Sequence, residues 1–393
     1  MKAGKVIAVL LVVAIALGAA LAVILPRGLE LRLEQPEPSA EPTASGPALT
    51  DCGVIHEPEF GGVYIKSAIE DFNALGFAYG DSVDVTFSNG YTLRDLPYYN
   101  GYYTQTGEPL LIAYPGYDYI KAAINNGDDL WETAGLREGD TATVTLAERG
   151  KYLEIQEARD IHYEDDRDAF ENDAVFANFR GVEAGDIQPD RLFRAASPCD
   201  DQHNRASYVD RLMGDADVRA ILDLADTDEK LQGYIDAEDF DSPNFLALYE
   251  ADKVIPVGLN MNFGSAEFRE KLAEGLVALS EQPGPYLVHC TEGKDRTGFV
   301  CMLLEALCGA TYDEIVSDYM ITYDNYYGIT RTTDPDRYGV IVESVLDPML
   351  RAMLGDDDAP LEQADLAAAA EAFLQSAGMT DDQIAALRGR LTA

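Results

Sequence analysis

The chain has 393 residues, 47% of them hydrophobic, which is ample for two cores after an N-terminal segment. Acidic residues number 70 against 29 basic ones, a net charge of −41 that argues against nucleic acid as a partner. With no polybasic patch it also argues against docking on anionic lipid, and the excess acid reads as a solubilising surface.

The N-terminus carries Lys2 and Lys5 ahead of an uncharged apolar run, residues 6–25. At about 1.5 Å per residue that run spans roughly 30 Å, the thickness of a bilayer core. Residues 1–33 are therefore expected to be a membrane anchor or a signal peptide, with Ala20-Leu21-Ala22 as a small-x-small cleavage site. In either case the lysines stay inside and the bulk of the chain is extracytoplasmic, membrane-anchored or secreted. Residues 34–53, rich in Pro, Glu, Ser and Ala, read as an extended disordered stalk.

Residues 54–165 change character and predict a small, mostly β, barrel-like domain. Residues 81–87 alternate with period two and lead into Asn89-Gly90, a hairpin signal. Further strands are expected at residues 110–114, 141–146 and 152–155, with one short helix within residues 119–136. Tyr98, Tyr99, Tyr102 and Tyr103 flank Asn100-Gly101 symmetrically and fit cross-strand hairpin packing, with an aromatic ligand wall as the alternative.

Residues 166–393 alternate strand-like and helical segments, which predicts an α/β unit with a central mixed sheet flanked by helices. Strands are expected at residues 218–224 and 253–257 and helices at 266–280, 361–375 and 381–391, the last after Thr380 as N-cap. Cys301 and Cys308 are small core residues about 10.5 Å apart along one helix, too far to bridge. Cys52 and Cys199 are left as a pair that an oxidising compartment would allow. Four histidines at no ligand spacing predict no metal site and no cofactor.

One stretch organises this unit: His289-Cys290-Thr291-Glu292-Gly293-Lys294-Asp295-Arg296-Thr297-Gly298. A short apolar run precedes it and a longer one follows, so the loop is expected between a buried strand and a helix N-terminus. Unpaired N–H groups and the helix dipole make that place a phosphate cradle. Arg296 supplies a planar fork for two phosphate oxygens, and the positive surroundings favour the nucleophilic thiolate of Cys290. Thr291, Glu292, Gly293, Lys294 and Thr297 are the further phosphate-binding positions, Lys294 by extending the positive patch. Thr297 is placed to hydrogen-bond the thiolate, and His289 to orient the loop from below.

This loop is similar to that of the cysteine-dependent tyrosine phosphatases, in particular the bacterial "tyrosine phosphatase 3" family. Asn178-Phe179-Arg180-Gly181 and Leu192-Phe193-Arg194-Ala195-Ala196 resemble that family's opening strands, and Ile221-Leu222-Asp223-Leu224 resembles its Asp-Leu-Arg strand end, with Ala225 in place of the arginine. The resemblance covers about residues 170–390. It implies a cysteine-phosphatase fold and a phosphocysteine intermediate. It also implies action on phosphotyrosine, in some members also phosphoserine, phosphothreonine or phosphoinositides. Many tyrosine phosphatases place an acidic aspartate about 30 residues before the cysteine, but residues 254–286 hold none. The resemblance assigns the acid/base role to Asp295 instead, with Asp223 as runner-up and Asp226 behind it. Gly116, Gly127, Leu136 and Gly139-Asp140 in the first domain are similar to the β-barrel domain of S-adenosylmethionine hydroxide adenosyltransferases, a resemblance that carries fold and no activity.

The expected function is an extracytoplasmic protein phosphatase with a phosphorylated protein or peptide as substrate and membrane contact through the N-terminal segment alone. A phosphoinositide or small-phosphoester phosphatase is the enzymatic alternative. A noncatalytic phosphate-binding or adhesion module is the alternative of another class.

Overall fold

The computed structural model describes residues 46–393, so the apolar run at 6–25 and most of the 34–53 stretch lie outside the described residues. Among the described residues no helix is long and apolar enough to cross a membrane. The described chain forms one compact unit in which a barrel and an α/β sheet are packed together.

The barrel comprises β1 (Ala48–Glu57), β2 (Gly62–Ile65), β3 (Ser82–Phe87), β4 (Thr92–Tyr99), β5 (Pro109–Ile112), β6 (Ile120–Ile124) and β7 (Thr141–Glu148). They close in the order β1-β2-β6-β5-β4-β3-β7. Val83, Val85 and Phe87 point inward from β3 and are buried, as the period-two pattern requires. The end of the supposed stalk is ordered, because Leu49 pairs with Val144 and Gly53 with Thr141. Closing the barrel removes the free edge that β7 would otherwise expose.

The short helix expected within residues 119–136 is Leu130–Thr133, whose Asp129 cap accepts from the Trp131 N–H, and the strand β6 precedes it. Lys121 belongs to the strand because its 1%-exposed side chain pairs with Glu57 at 2.5 Å, which allows a charge inside an otherwise apolar run. Residues 153–159 are a helix, not a strand, and turn Gln156 and Ala158 inward. Asn100-Gly101 makes no hairpin, since β4 and β5 run parallel with Tyr98 opposite Leu111. The tyrosines instead pack: Tyr98 enters the barrel core, and Tyr99 forms an outer cluster with Leu110 and Ile112 on which Tyr102 and Tyr103 rest.

The second sheet has β8 (Arg180–Gly181), β9 (Leu192–Ala195), β10 (Ala220–Asp223), β11 (Val254–Pro256) and β12 (Tyr286–His289), in the order β11-β10-β12-β9-β8. It is mixed: β8 runs antiparallel to β9, and the other neighbours are parallel. All four residues of β12 are buried, as expected where helices cover both faces. Tyr286 and Val288 pack on the side of helices Ala266–Glu281 and Asp295–Leu307, whereas Leu287 packs on the side of Ala206–Asp215 and Pro243–Glu250. In the tail, the expected 361–375 helix splits into a turn and the helix Leu366–Ser376, because Asp365 caps a new start by accepting from the Ala368 N–H. Thr380 caps the helix Asp381–Thr392 in a capping box with Gln383.

The segment joining barrel and sheet is fastened to the second unit. Arg205 grips the Asp165 carboxylate and the Glu164 carbonyl, each at 2.8 Å. Gln105 of the barrel donates to the Ser344 carbonyl at 3.0 Å, and Arg337 donates to that of Glu157 at 3.1 Å. All five cysteines are free, so Cys52 and Cys199 form no bridge. Cys199 is buried beside Ser197 of the α/β unit, while Cys52 lies in β1.

Candidate active site

The loop of residues 290–294 leaves the carboxyl end of β12 and enters the helix Asp295–Leu307. Its turn is made at Gly293, which has φ +66°. A Cβ there would lie 2.1 Å from the Ala195 carbonyl oxygen, so only glycine fits. The Gly293 carbonyl is pulled outward by two buried donors, Asn178 Nδ2 at 3.2 Å and Arg194 at 3.1 Å. Arg194 is in turn held by Asp318 at 2.6 Å, and Arg180 reaches the same carboxylate at 3.1 Å. Burial works against the Asp318 charge, yet the two guanidinium groups keep its carboxyl below the usual range.

With that carbonyl turned away, the N–H groups of residues 291–296 donate to no acceptor among the described residues. This is what a helix start leaves over, here gathered on a loop. Cys290 lies at the base of the loop and is 3% exposed. Arg296, on the first helical turn, donates to the Leu259 carbonyl at 3.2 Å and approaches Thr291 Oγ1 at 3.5 Å, which holds its guanidinium over the loop. Thr297 is buried, but its hydroxyl has no partner, so the expected bond to the cysteine sulfur is not formed.

Beneath the loop lies a buried polar cluster. His289 and Asp223 are both fully buried on neighbouring strands, with Nε2 and Oδ2 3.9 Å apart. Asp223 accepts from the N–H groups of Ala225 and Asp226 through Oδ1, while its Oδ2 is unpartnered. Burial pushes the carboxyls of Asp223 and Asp226 up to about 6 and brings His289 down to about 4. The imidazole is thus neutral near pH 7 and serves as support under the cysteine. Cys199, Asp223 and Asp226 also present donor atoms within 4.8 Å of one another, the one such trio among the described residues.

Glu292 and Lys294 are not free to meet a ligand. Their charged groups pair at 3.0 Å, and Tyr163 completes the set: Lys294 donates to its oxygen at 2.6 Å, while the hydroxyl donates to Glu292. Lys294 therefore does not extend an open positive patch; burial opposes its charge, but Asp295 and Glu292 hold it protonated. Tyr326 donates to the Glu292 carbonyl at 2.7 Å. Tyr163 comes from the connecting segment and carried no sequence signal, because its role depends on that segment folding back over the loop.

Asp295 differs from Asp223 in access. Its side chain is 29% exposed, 3.8 Å from Lys294, and it lines a cavity of about 870 Å³ between barrel and α/β unit. Asp223 is 0% exposed and lies beneath the loop, so the two carboxylates are not equivalent candidates for meeting a substrate.

Residues 176–393 match the family model described as "Tyrosine phosphatase family". A protein of Cupriavidus necator named as a tyrosine-protein phosphatase is 30% identical over 128 residues, covering 32% of this chain and 46% of the relative. The tyrosine-protein phosphatase of Nostoc commune is 42% identical over 55 residues, 14% of this chain and 19% of that protein. The chain thus spans less than half the length of these curated relatives. Among solved structures, the core catalytic domain of the PP-IP phosphatase SIW14 from S. cerevisiae matches at 19% identity and a TM-score of 0.26, covering 42% of this chain and 83% of that one.

Two variants test the local physics. Gly293→Ala forces a side chain into a left-handed position already blocked by the Ala195 carbonyl, and should lower stability by at least about 1–3 kcal/mol in urea unfolding. Asp223 has a raised carboxyl, so its stabilising contribution is full below its ordinary 3.8 and is lost as pH rises through about 6. Asp223→Asn lacks this dependence. It should gain on the wild type by on the order of 1–3 kcal/mol between pH 4 and pH 7, and parallel pH profiles would refute the burial argument.

Proposed function

This chain belongs to the tyrosine phosphatase family, and from that membership and the loop geometry we propose that it hydrolyses phosphotyrosine in protein or peptide substrates through a phosphocysteine intermediate. One observation carries the reading: among the described residues, the six successive N–H groups of residues 291–296, on the loop after Cys290 and the helical turn that holds Arg296, donate to no acceptor. An oxyanion seated there would satisfy groups that otherwise have no partner.

In the first step the Cys290 thiolate attacks phosphorus in line and the bond from phosphorus to the leaving oxygen breaks. Asp295 is the group that passes a proton to that oxygen. Arg296 and the loop N–H groups hold the equatorial oxygens as charge spreads over them. In the second step Asp295 takes a proton from water, the water oxygen bonds to phosphorus, and the sulfur leaves as thiolate with inorganic phosphate as product. The access of Asp295 supports this assignment, and the complete burial of Asp223 speaks against the runner-up. Positioning falls to Gly293, Asn178 and Arg194, which shape the cradle, and to His289 below it.

The phosphoinositide alternative leaned on Lys294 for a second phosphate, and that ammonium is held by Glu292 and Tyr163. Placement outside the cytoplasm rests on the sequence of residues 1–33 alone.

Turnover of p-nitrophenyl phosphate should fall by a factor of about 1,000 or more in Cys290→Ser and be unaffected by chelators. Phosphate binding without turnover in the wild type would favour the noncatalytic module. Asp295→Asn should cost roughly 100-fold or more in kcat with a phosphotyrosine peptide, whose leaving group needs the proton, and far less with p-nitrophenyl phosphate. Equal losses on both substrates would remove Asp295 from the acid role.

A further inference from the structure

The cavity of about 870 Å³ beside the catalytic loop is lined from both sides, by Tyr102, Gln105 and Asn126 of the barrel and by Met261, Phe263 and Met349 of the α/β unit. It lies near the upper end of the roughly 300–1,000 Å³ range of ligand clefts. Asp295 is part of its wall. In the proposed reaction Asp295 protonates the leaving oxygen, so whatever carries that oxygen extends into this cleft. The body of the substrate is therefore read here and not in the phosphate cradle.

Three arginines line the same cleft, Arg159, Arg269 and Arg351. Arg351 lies 4.0 Å from Asp347. Arg159 is half-buried, rests on the ring of Tyr103 at 5.2 Å, and makes no ion pair or side-chain hydrogen bond among the described residues. Arg269 is also half-buried. It packs on Phe373 at 5.1 Å, donates at 3.5 Å to Ser376, and its Nε is buried without a partner. In a chain with 70 acidic residues, these two guanidinium groups have no carboxylate within 4.0 Å among the described residues, though Glu108, Glu343 and Asp357 line the cleft too. An aromatic ring lies against each guanidinium, so less freedom is lost when it takes a carboxylate bidentately.

We propose that this cleft is a peptide subsite in which Arg159 and Arg269 bind acidic side chains flanking the phosphorylated residue, so that the barrel acts as a specificity wall of the enzyme. The proposal rests on the phosphatase reading and on Asp295 facing the leaving group. A polypeptide suits the surface better than a small polyanion does. Tyr102, Met261, Phe263 and Met349 supply apolar area for side chains, and the cleft's own carboxylates would repel a ligand charged all round while tolerating discrete acidic groups.

The test uses the full chain and four substrates: p-nitrophenyl phosphate, inositol hexakisphosphate, a phosphotyrosine peptide flanked by Asp and Glu, and the same peptide flanked by Asn and Gln. The wild type should prefer the acidic peptide by about tenfold or more in kcat/KM, through KM, the scale of one charge-assisted hydrogen bond. Arg159→Gln and Arg269→Gln should each raise KM for the acidic peptide about five- to tenfold, leaving its kcat, the neutral peptide and the aryl phosphate unchanged. Equal KM for the two peptides, losses shared by all substrates, or losses confined to inositol hexakisphosphate would each overturn the proposal. Calorimetric titration of Cys290→Ser with the two peptides reads the same preference without turnover. A failed cleft proposal would appear there as equal affinities, whereas a failed phosphatase reading would appear as no aryl phosphate turnover by the wild type.

Discussion

The site depends on the direction of one carbonyl. Gly293 can turn its C=O away from the loop because it has no side chain to strike Ala195, and it stays turned because Asn178 and Arg194 both donate to it. Arg194 is itself immobilised by Asp318, which Arg180 also engages. A buried guanidinium with a carboxylate partner and a loop carbonyl to satisfy is costly to disturb, since removing any member leaves an uncompensated polar group. Rigidity at the cradle is thus produced by side chains distant in sequence, Asn178 and Arg194 at 115 and 99 residues from Gly293, and by Asp318 on the helix Tyr312–Tyr327.

Below the loop, burial is the organising constraint. His289, Asp223 and Asp226 are packed where few partners reach them, and the medium favours their uncharged forms. A neutral imidazole under Cys290 avoids a competing cation below the sulfur, and Glu292 cancels Lys294 at the rim. The groups that face an oxyanion are Arg296 and the loop amides.

The barrel changes what kind of site this is. Because the connecting segment folds back, with Tyr163 on the loop and Asp165 held by Arg205, the barrel is not a detached module on a tether. Its outer tyrosine cluster packs the helix Leu153–Arg159 against β5 and β6, and that helix meets the helix Pro335–Ile341 of the catalytic unit, where Arg337 donates to the Glu157 carbonyl. The cleft so formed owes its two walls to two different folds, and its chemistry belongs to neither alone.

The identity of the loop was legible in the chain itself. A cysteine, an arginine six positions on, a glycine between them and apolar runs on either side state a strand, a turn and a helix start, and those are local facts. The barrel was legible as a β domain but not in detail: β6 carries no strand signal and residues 152–155 read as a strand, because a buried Lys121 is acceptable only with Glu57 beside it and the helix Leu153–Arg159 follows its packing rather than its pattern. Equally hidden were the use of Asn178, Arg180, Arg194 and Tyr163, and the capture of Lys294. Sequence determines which residue types lie within a turn or two of one another and what chemistry they allow. Only the tertiary structure decides which distant side chains satisfy them, because a hydrogen bond or ion pair across 100 residues exists only once the fold has brought its ends together.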